Sequence, residues 1–113
     1  MKLLTLDHDT LDAAVADNPL LIVDMWASWC VPCRRFGPIF EKMADNVTDI
    51  QFAKFQVDAS DENQATFDAT GFQTIPTVLA FKDGELALSK SGALGKADLT
   101  EVIESLRAVN PAE

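Results

Sequence analysis

Cys30 and Cys33 are the only cysteines in the chain, and Val31 and Pro32 separate them. A pair at this spacing can be half of a metal clip, a structural staple, or a dithiol that trades electrons with other disulfides. A staple gains little, because a ring closed over four residues hardly restricts the unfolded chain. Nor is one needed: the 113 residues are 48% apolar, enough to bury a core without cross-links. Structural zinc takes four ligands drawn mostly from Cys and His. His8 is the only histidine, so a carboxylate or a second subunit would have to complete such a site. The neighbouring residues favour the dithiol.

A free thiol with a pKa of about 8.5 is only a few per cent ionised at neutral pH. A nucleophilic cysteine therefore needs its anion stabilised. The start of a helix does this, since its backbone N–H groups lack partners and carry the positive end of the helix dipole. Phe36, Ile39, Phe40, Met43, Ala44 and Val47 repeat at the spacing of one apolar helical face, so a long helix is expected to begin at the cysteines. Pro32 suits its first turn, where a missing N–H costs nothing. Pro38 should kink it further along. Cys30 is then expected at the exposed first turn, as nucleophile, with Cys33 deeper on the same face, as the resolving thiol.

Asp24 interrupts the run Leu20-Leu-Ile-Val-Asp-Met25. It either reaches a solvated strand end or is a desolvated acid whose raised pKa lets it take the proton from Cys33. Perturbed carboxylates recur beside nucleophiles, and the second reading is favoured. Lys54, between Ala53 and Phe55, is its candidate charge partner; otherwise it extends to solvent.

The elements that would place these residues follow from pattern. Leu3–Leu6 reads as a short strand, and Asp7 as the cap of a helix running to about Asp17. Leu20–Met25 reads as a strand buried on both faces, as in the middle of a parallel sheet. Ile50–Val57 is the next strand, and a short helix over about Asp61–Thr70 follows, capped by Ser60. Thr77–Lys82 and Glu85–Ser89 flank Asp83-Gly84, a two-residue hairpin signal. Leu99, Val102, Ile103 and Leu106 mark a last helix. The order βαβαβαββα predicts an α/β sandwich: a mixed sheet with helices on both faces. One domain is expected over residues 1–113, with a loose tail over 108–113.

The formal net charge of −9 is spread along the chain and includes no basic stripe, so nucleic-acid binding is not expected. The acid balance reads as solubility or as a preference for partners with basic faces. No apolar run approaches a membrane span, and Asp7 comes too early for a signal peptide. A cytosolic location and no membrane partner are therefore expected.

Beyond the cysteines, Asp24, Trp26-Ala-Ser-Trp29-Cys30-Val-Pro-Cys33, Ala53-Lys54…Asp58, Ile75-Pro76-Thr77, Phe81-Lys82-Asp83-Gly84 and Gly92-Ala93-Leu94 occur in an order that resembles the thioredoxin family from about Leu4 to Leu106. The resemblance implies the thioredoxin fold and the reduction of protein disulfides by a monomer with no bound cofactor. It also implies electrons supplied from NADPH by a thioredoxin reductase. By position, Cys30 is the nucleophile, Cys33 the resolver, Asp24 the buried acid and Lys54 its neighbour. Trp29 shields the disulfide, with Val31 and Pro32 beside it on the substrate face. Pro76 matches a cis-proline, where sequence statistics alone favour trans, and Ile75 before it offers its backbone to substrate. Gly92 matches a small residue on the docking rim; by itself it reads as a turn at the end of the last strand.

Several residues depart from the usual pattern. Val31 replaces a glycine between the cysteines, Arg34 and Arg35 add positive charge beside them, and Thr74 and Ser91 change the docking rim. These bear on potential and partner range, since about 30 mV corresponds to about 1.4 kcal/mol for a two-electron couple. The Trp-Cys-Val-Pro-Cys-Arg segment is also similar to thioredoxin-like reductases of extracytoplasmic cytochrome maturation. A different class again is a binding or chaperone-like module that uses the fold and not the thiols.

Overall fold

The computed structural model describes residues 2–109. Its elements are β1 (Leu4–Leu6), α1 (Leu11–Asp17), β2 (Leu20–Trp26), α2 (Val31–Asn46), β3 (Gln51–Gln56), α3 (Asp61–Ala69), β4 (Thr77–Lys82), β5 (Glu85–Ser91) and α4 (Lys96–Ala108). A 3-10 turn at Val57–Ala59 follows β3. The strands make one sheet in the order β1-β3-β2-β4-β5. The first three run parallel, β4 pairs antiparallel with β2, and β5 closes the sheet as a hairpin with β4. This is the expected mixed-sheet sandwich.

Alternation along the central strands sorts the core into two layers. Ile22, Phe52, Val78 and Ala80 point to one face, where Phe36, Phe40 and Ala44 of α2 and Leu99, Val102, Ile103 and Leu106 of α4 cover them. Leu21, Val23, Met25, Ala53, Phe55 and Leu79 point to the other, against Leu11 and Ala14 of α1 and Phe67 of α3. Phe40 is wedged between Phe36 and Phe52, with ring centroids 5.9 and 5.2 Å away. Truncating such a ring to alanine costs roughly 3–5 kcal/mol, through lost burial and the cavity left behind. The packing matters here because α2, which carries Cys33 and is capped by Cys30, is fixed to the sheet through it.

Local signals set most of the element ends. Asp83 and Gly84 adopt φ of 51° and 85°, as the two central residues of the tightest hairpin turn require. The Ser60 hydroxyl accepts from the Asn63 N–H at 3.0 Å and starts α3. Other ends differ from expectation. Asp7 accepts from the Asp9 and Thr10 N–H groups at 2.8 and 3.1 Å, so it organises a turn, and α1 begins only at Leu11. β5 extends to Ser91, beyond Ser89, because it remains in register with β4 as far as Thr77. Ala108 belongs to α4 and Val109 caps it; the rest of the expected tail, 110–113, lies outside the described residues. None of the described helices is long and apolar enough to cross a membrane.

Candidate active site

β2 delivers the chain from the middle of the sheet to the loop 27–30, and α2 leaves from there. Cys30 is the N-cap of α2, in an extended conformation, with Val31 and Pro32 in its first turn. Cys30 and Cys33 are joined as a disulfide, with Cα atoms 5.2 Å apart. The Cys33 backbone N–H donates to Cys30 Sγ at 3.2 Å. One of the orphan donors of a helix start is thus aimed at the sulfur that would carry negative charge after reduction.

The expectation of an exposed Cys30 is corrected by the structure: the residue is 4% exposed and Cys33 2%. Ala27 joins them in a small buried cluster, against which Trp26 and Ile75 pack. Burial comes from the loop before β4, 45 residues away, whose Ile75 carbonyl oxygen lies 3.7 Å from Cys30 Sγ. This is a contact and not a hydrogen bond, since a disulfide sulfur has no proton to donate. The exposed members of the site are its rim: Trp29 is 67% exposed and Val31 45%.

The rim is braced from three sides. The Ser28 N–H donates to Asp58 Oδ1 at 3.1 Å, the Ser28 hydroxyl bonds Asp58 Oδ2, and Gln56 Nε2 reaches Asp58 Oδ1 at 3.0 Å. These bonds, led by the Ser28 hydroxyl, hold the Asp58 carboxyl below the usual carboxylate range. Arg34 Nη1 donates to the Ser28 carbonyl at 3.1 Å. Opposite, the Ile75–Pro76 bond is cis. The buried Thr77 hydroxyl bonds the Thr74 carbonyl and lies 2.7 Å from Ser91 Oγ. The Gly92 N–H donates to the Pro76 carbonyl at 3.1 Å. Thr77 therefore ties the Thr74–Pro76 loop to the end of β5, where Gly92 turns the chain at φ 109°. A Cβ there would meet nothing within 4 Å. Beside the disulfide runs a groove lined by Trp29, Phe67, Phe72 and Ile75.

Asp24 shares the sheet face of Ile22 and Trp26, the face that α2 covers. It is fully buried, not at a solvated strand end, and neither carboxylate oxygen has a hydrogen-bond partner among the described residues. Desolvation pushes its pKa up to about 7; Lys54 opposes the rise and Glu41 adds to it. Lys54 is the register neighbour of Asp24 on β3. Its Nζ, however, lies 4.0 Å from Glu41 Oε2 and 4.9 Å from the centroid of the Trp26 ring. It is thus a neighbour of Asp24, as expected, without forming an ion pair with it, and it does not extend freely to solvent.

His8 bonds Asn63 through its backbone N–H at 2.8 Å, with Nδ1 3.2 Å from the same oxygen. The cysteine sulfurs are bonded to each other. Sequence reasoning assigned no role to Ser28, Asp58, Thr77 or Glu41. Glu41 could have been found, because it stands eight residues after Cys33 and four after Gly37, near the same face of α2.

The comparisons agree with this geometry. A family model for thioredoxin matches residues 2–105. The chain is 43% identical over 100 residues to a thioredoxin of Acidithiobacillus ferridurans, a match spanning 88% of this chain and 89% of that protein. Among solved structures, a mutant thioredoxin from Halobacterium salinarum NRC-1 superposes with a TM-score of 0.82 at 34% identity, covering 97% of this chain and 95% of that one. The short form of thioredoxin f from spinach chloroplast gives 0.84 at 28% identity, covering 95% of both chains. An intact cysteine pair at a helix start, on this fold and in this company, makes the chain a thiol–disulfide oxidoreductase that belongs to the thioredoxin family.

Proposed function

We propose that the chain reduces disulfides in target proteins, with Cys30 attacking and Cys33 resolving. The Cys30 thiolate attacks one sulfur of the substrate disulfide, the S–S bond breaks, and one substrate thiolate leaves. A mixed disulfide between Cys30 and substrate remains. Cys33 then gives its proton to the Asp24 carboxylate and attacks Cys30 Sγ; the second substrate thiolate leaves, and the Cys30–Cys33 disulfide forms. Two electrons pass to the substrate, whose thiolates take their protons from Asp24 and solvent. The observation that carries this reading is the Cys33 N–H directed at Cys30 Sγ at the N-cap of α2.

Trp29, Val31, Pro32, Ile75, Pro76 and Gly92 form the docking rim in this reading. Ile75 offers its backbone to an extended substrate segment. Each turnover leaves the dithiol oxidised, so a two-electron donor must recharge it. We assign that role to a thioredoxin reductase drawing on NADPH in the cytosol, with the nicotinamide bound to the reductase and not to this chain. Family membership supports this assignment.

The test is a coupled assay of purified protein with NADPH, a thioredoxin reductase and a disulfide-linked protein substrate. NADPH consumption that requires both this chain and the substrate is expected. Absence of reduction, with partner binding retained after both cysteines are replaced by serine, would instead identify a binding module.

A further inference from the structure

The ion pair between Lys54 and Glu41 has no part in the proposed reaction, yet Lys54 is the register neighbour of Asp24, the buried carboxylate that does. Asp24 and Lys54 are side by side on adjacent parallel strands, facing the same side of the sheet. The Lys54 ammonium nevertheless lies beside Glu41 at 4.0 Å and over the Trp26 ring at 4.9 Å, while both Asp24 oxygens lack hydrogen-bond partners among the described residues. A buried carboxylate with a lysine next to it in register would ordinarily draw the ammonium to itself. The seat of the pair is Gly37. A Cβ built there would lie 3.5 Å from Lys54 Nζ and 3.9 Å from Glu41 Oε2, so a methyl would just touch them and a larger side chain would occupy their place. Glycine inside a helix is less stable than alanine, and Gly37 is buried in the middle of α2.

We propose that Glu41 is a positioning residue for the resolving step: it draws the Lys54 ammonium toward itself across Gly37, leaving the Asp24 carboxyl without a countercharge in contact. The inference rests on the reading of Asp24 as the acceptor of the Cys33 proton. Among the described residues, the charged groups that act on Asp24 are Lys54 from β3 and Glu41 from α2. Its register neighbour on β4, Val78, is apolar, and Cys33 is the thiol whose proton it takes. With Lys54 held by Glu41, Asp24 remains a base strong enough to accept that proton near neutral pH. Were Lys54 to reach Asp24, the carboxylate would be stabilised as an anion and would be a weaker base.

The experiment compares wild type, Glu41→Gln, Glu41→Asp, Lys54→Met and the Glu41→Gln/Lys54→Met double variant. The Asp24 side-chain carboxyl carbon is titrated by NMR in the oxidised protein. In parallel, the reduced protein is mixed with an aromatic disulfide that releases one coloured thiolate on attack and a second on resolution, and the second phase is followed against pH. Glu41 is 52% exposed, so its substitutions leave the core intact. Glu41→Gln is expected to move the carboxyl midpoint to lower pH by on the order of half a unit, with the second phase following it. Glu41→Asp should restore most of the shift, and in the Lys54→Met background the Glu41→Gln shift should fall to less than half. A midpoint that does not move, or moves equally with and without Lys54, would overturn the positioning role and leave Asp24 as the acceptor. A midpoint that moves while the second phase does not would remove Asp24 from the resolving step, and with it the kinetic role of Glu41.

Discussion

Asp24 and Lys54 are neighbours in register on the two central parallel strands, but the lysine's ammonium rests on Trp26 and beside Glu41 and not on the carboxylate. The carboxyl is left desolvated, with its pKa pushed up to about 7 from 3.8. A raised folded-state value means that folding favours the protonated acid. The associated stability is fully present below pH 4 and is lost as pH rises toward the folded value. The shift corresponds to on the order of 4 kcal/mol. Denaturant unfolding of the oxidised protein at pH 5 and pH 8 is therefore expected to show a marked loss at the higher pH. Asp24→Asn should remove most of that loss and be the more stable protein at pH 8; equal pH dependence in the two proteins would contradict the buried, unpaired carboxyl.

The same substitution should separate the two chemical steps. Asp24→Asn is expected to slow release of the second substrate thiolate more than the first attack, because only resolution moves a proton from Cys33. Rapid mixing with a chromogenic disulfide resolves the two phases. Equal slowing of both would count against a proton-acceptor role.

Cys30→Ser should abolish turnover, whereas Cys33→Ser should accumulate a mixed disulfide with substrate, visible as a mass increase that dithiothreitol reverses. The N-cap position of Cys30 is the reason: its sulfur accepts the Cys33 N–H. Normal steady-state reduction by either variant would remove the assigned roles.

Thr77→Val keeps the shape of a buried residue but deletes the hydroxyl that bonds the Thr74 carbonyl and Ser91. Thr74 and Ser91 are exposed and can turn to water, so each lost bond costs roughly 0.5–1.5 kcal/mol. Because the lost bonds hold the Ile75–Pro76 loop, KM for a protein disulfide should rise severalfold, with little change for a small aromatic disulfide. A similar loss toward both substrates would mean that the clamp supports the fold and not docking.

At Gly92 the added side chain would project into open space, so the obstacle it makes is to a partner. Gly92→Val is expected to raise KM for protein substrates and to spare small disulfides. The positive φ of 109° adds backbone strain for valine, which a lowered melting temperature would report separately. Unchanged kinetics toward a protein substrate would take Gly92 off the docking rim.

What the chain discloses before folding is mostly local. Asp83-Gly84 needs φ values that few residues accept, Ser60 caps from three residues away, and the apolar face of α2 repeats along a single helix; each was legible. Asp7 misled because its carboxylate organises a turn first, and the helix must wait for Leu11. The burial of Cys30 was not legible, since it depends on Ile75, brought over by the packing of β4 beside β2. The pairing of Lys54 with Glu41 was hidden for a similar reason. It needs the register of β2 on β3, the seating of α2 over that face, and the space left by Gly37. Residues that act through neighbours distant in sequence carry little signal of their own, even when the reacting pair is plain.

The most direct measurement follows the rate of alkylation of each cysteine by iodoacetamide in the reduced protein across pH 5–10, with peptide mapping to separate Cys30 from Cys33. An ordinary thiol reacts with a midpoint of about 8.5. The helix-start geometry predicts that Cys30 reaches half its maximal rate well below that value and that Cys33 lags behind it. If both cysteines followed the ordinary thiol curve, the N-cap of α2 would not be holding a thiolate, and the account of the site would be contradicted.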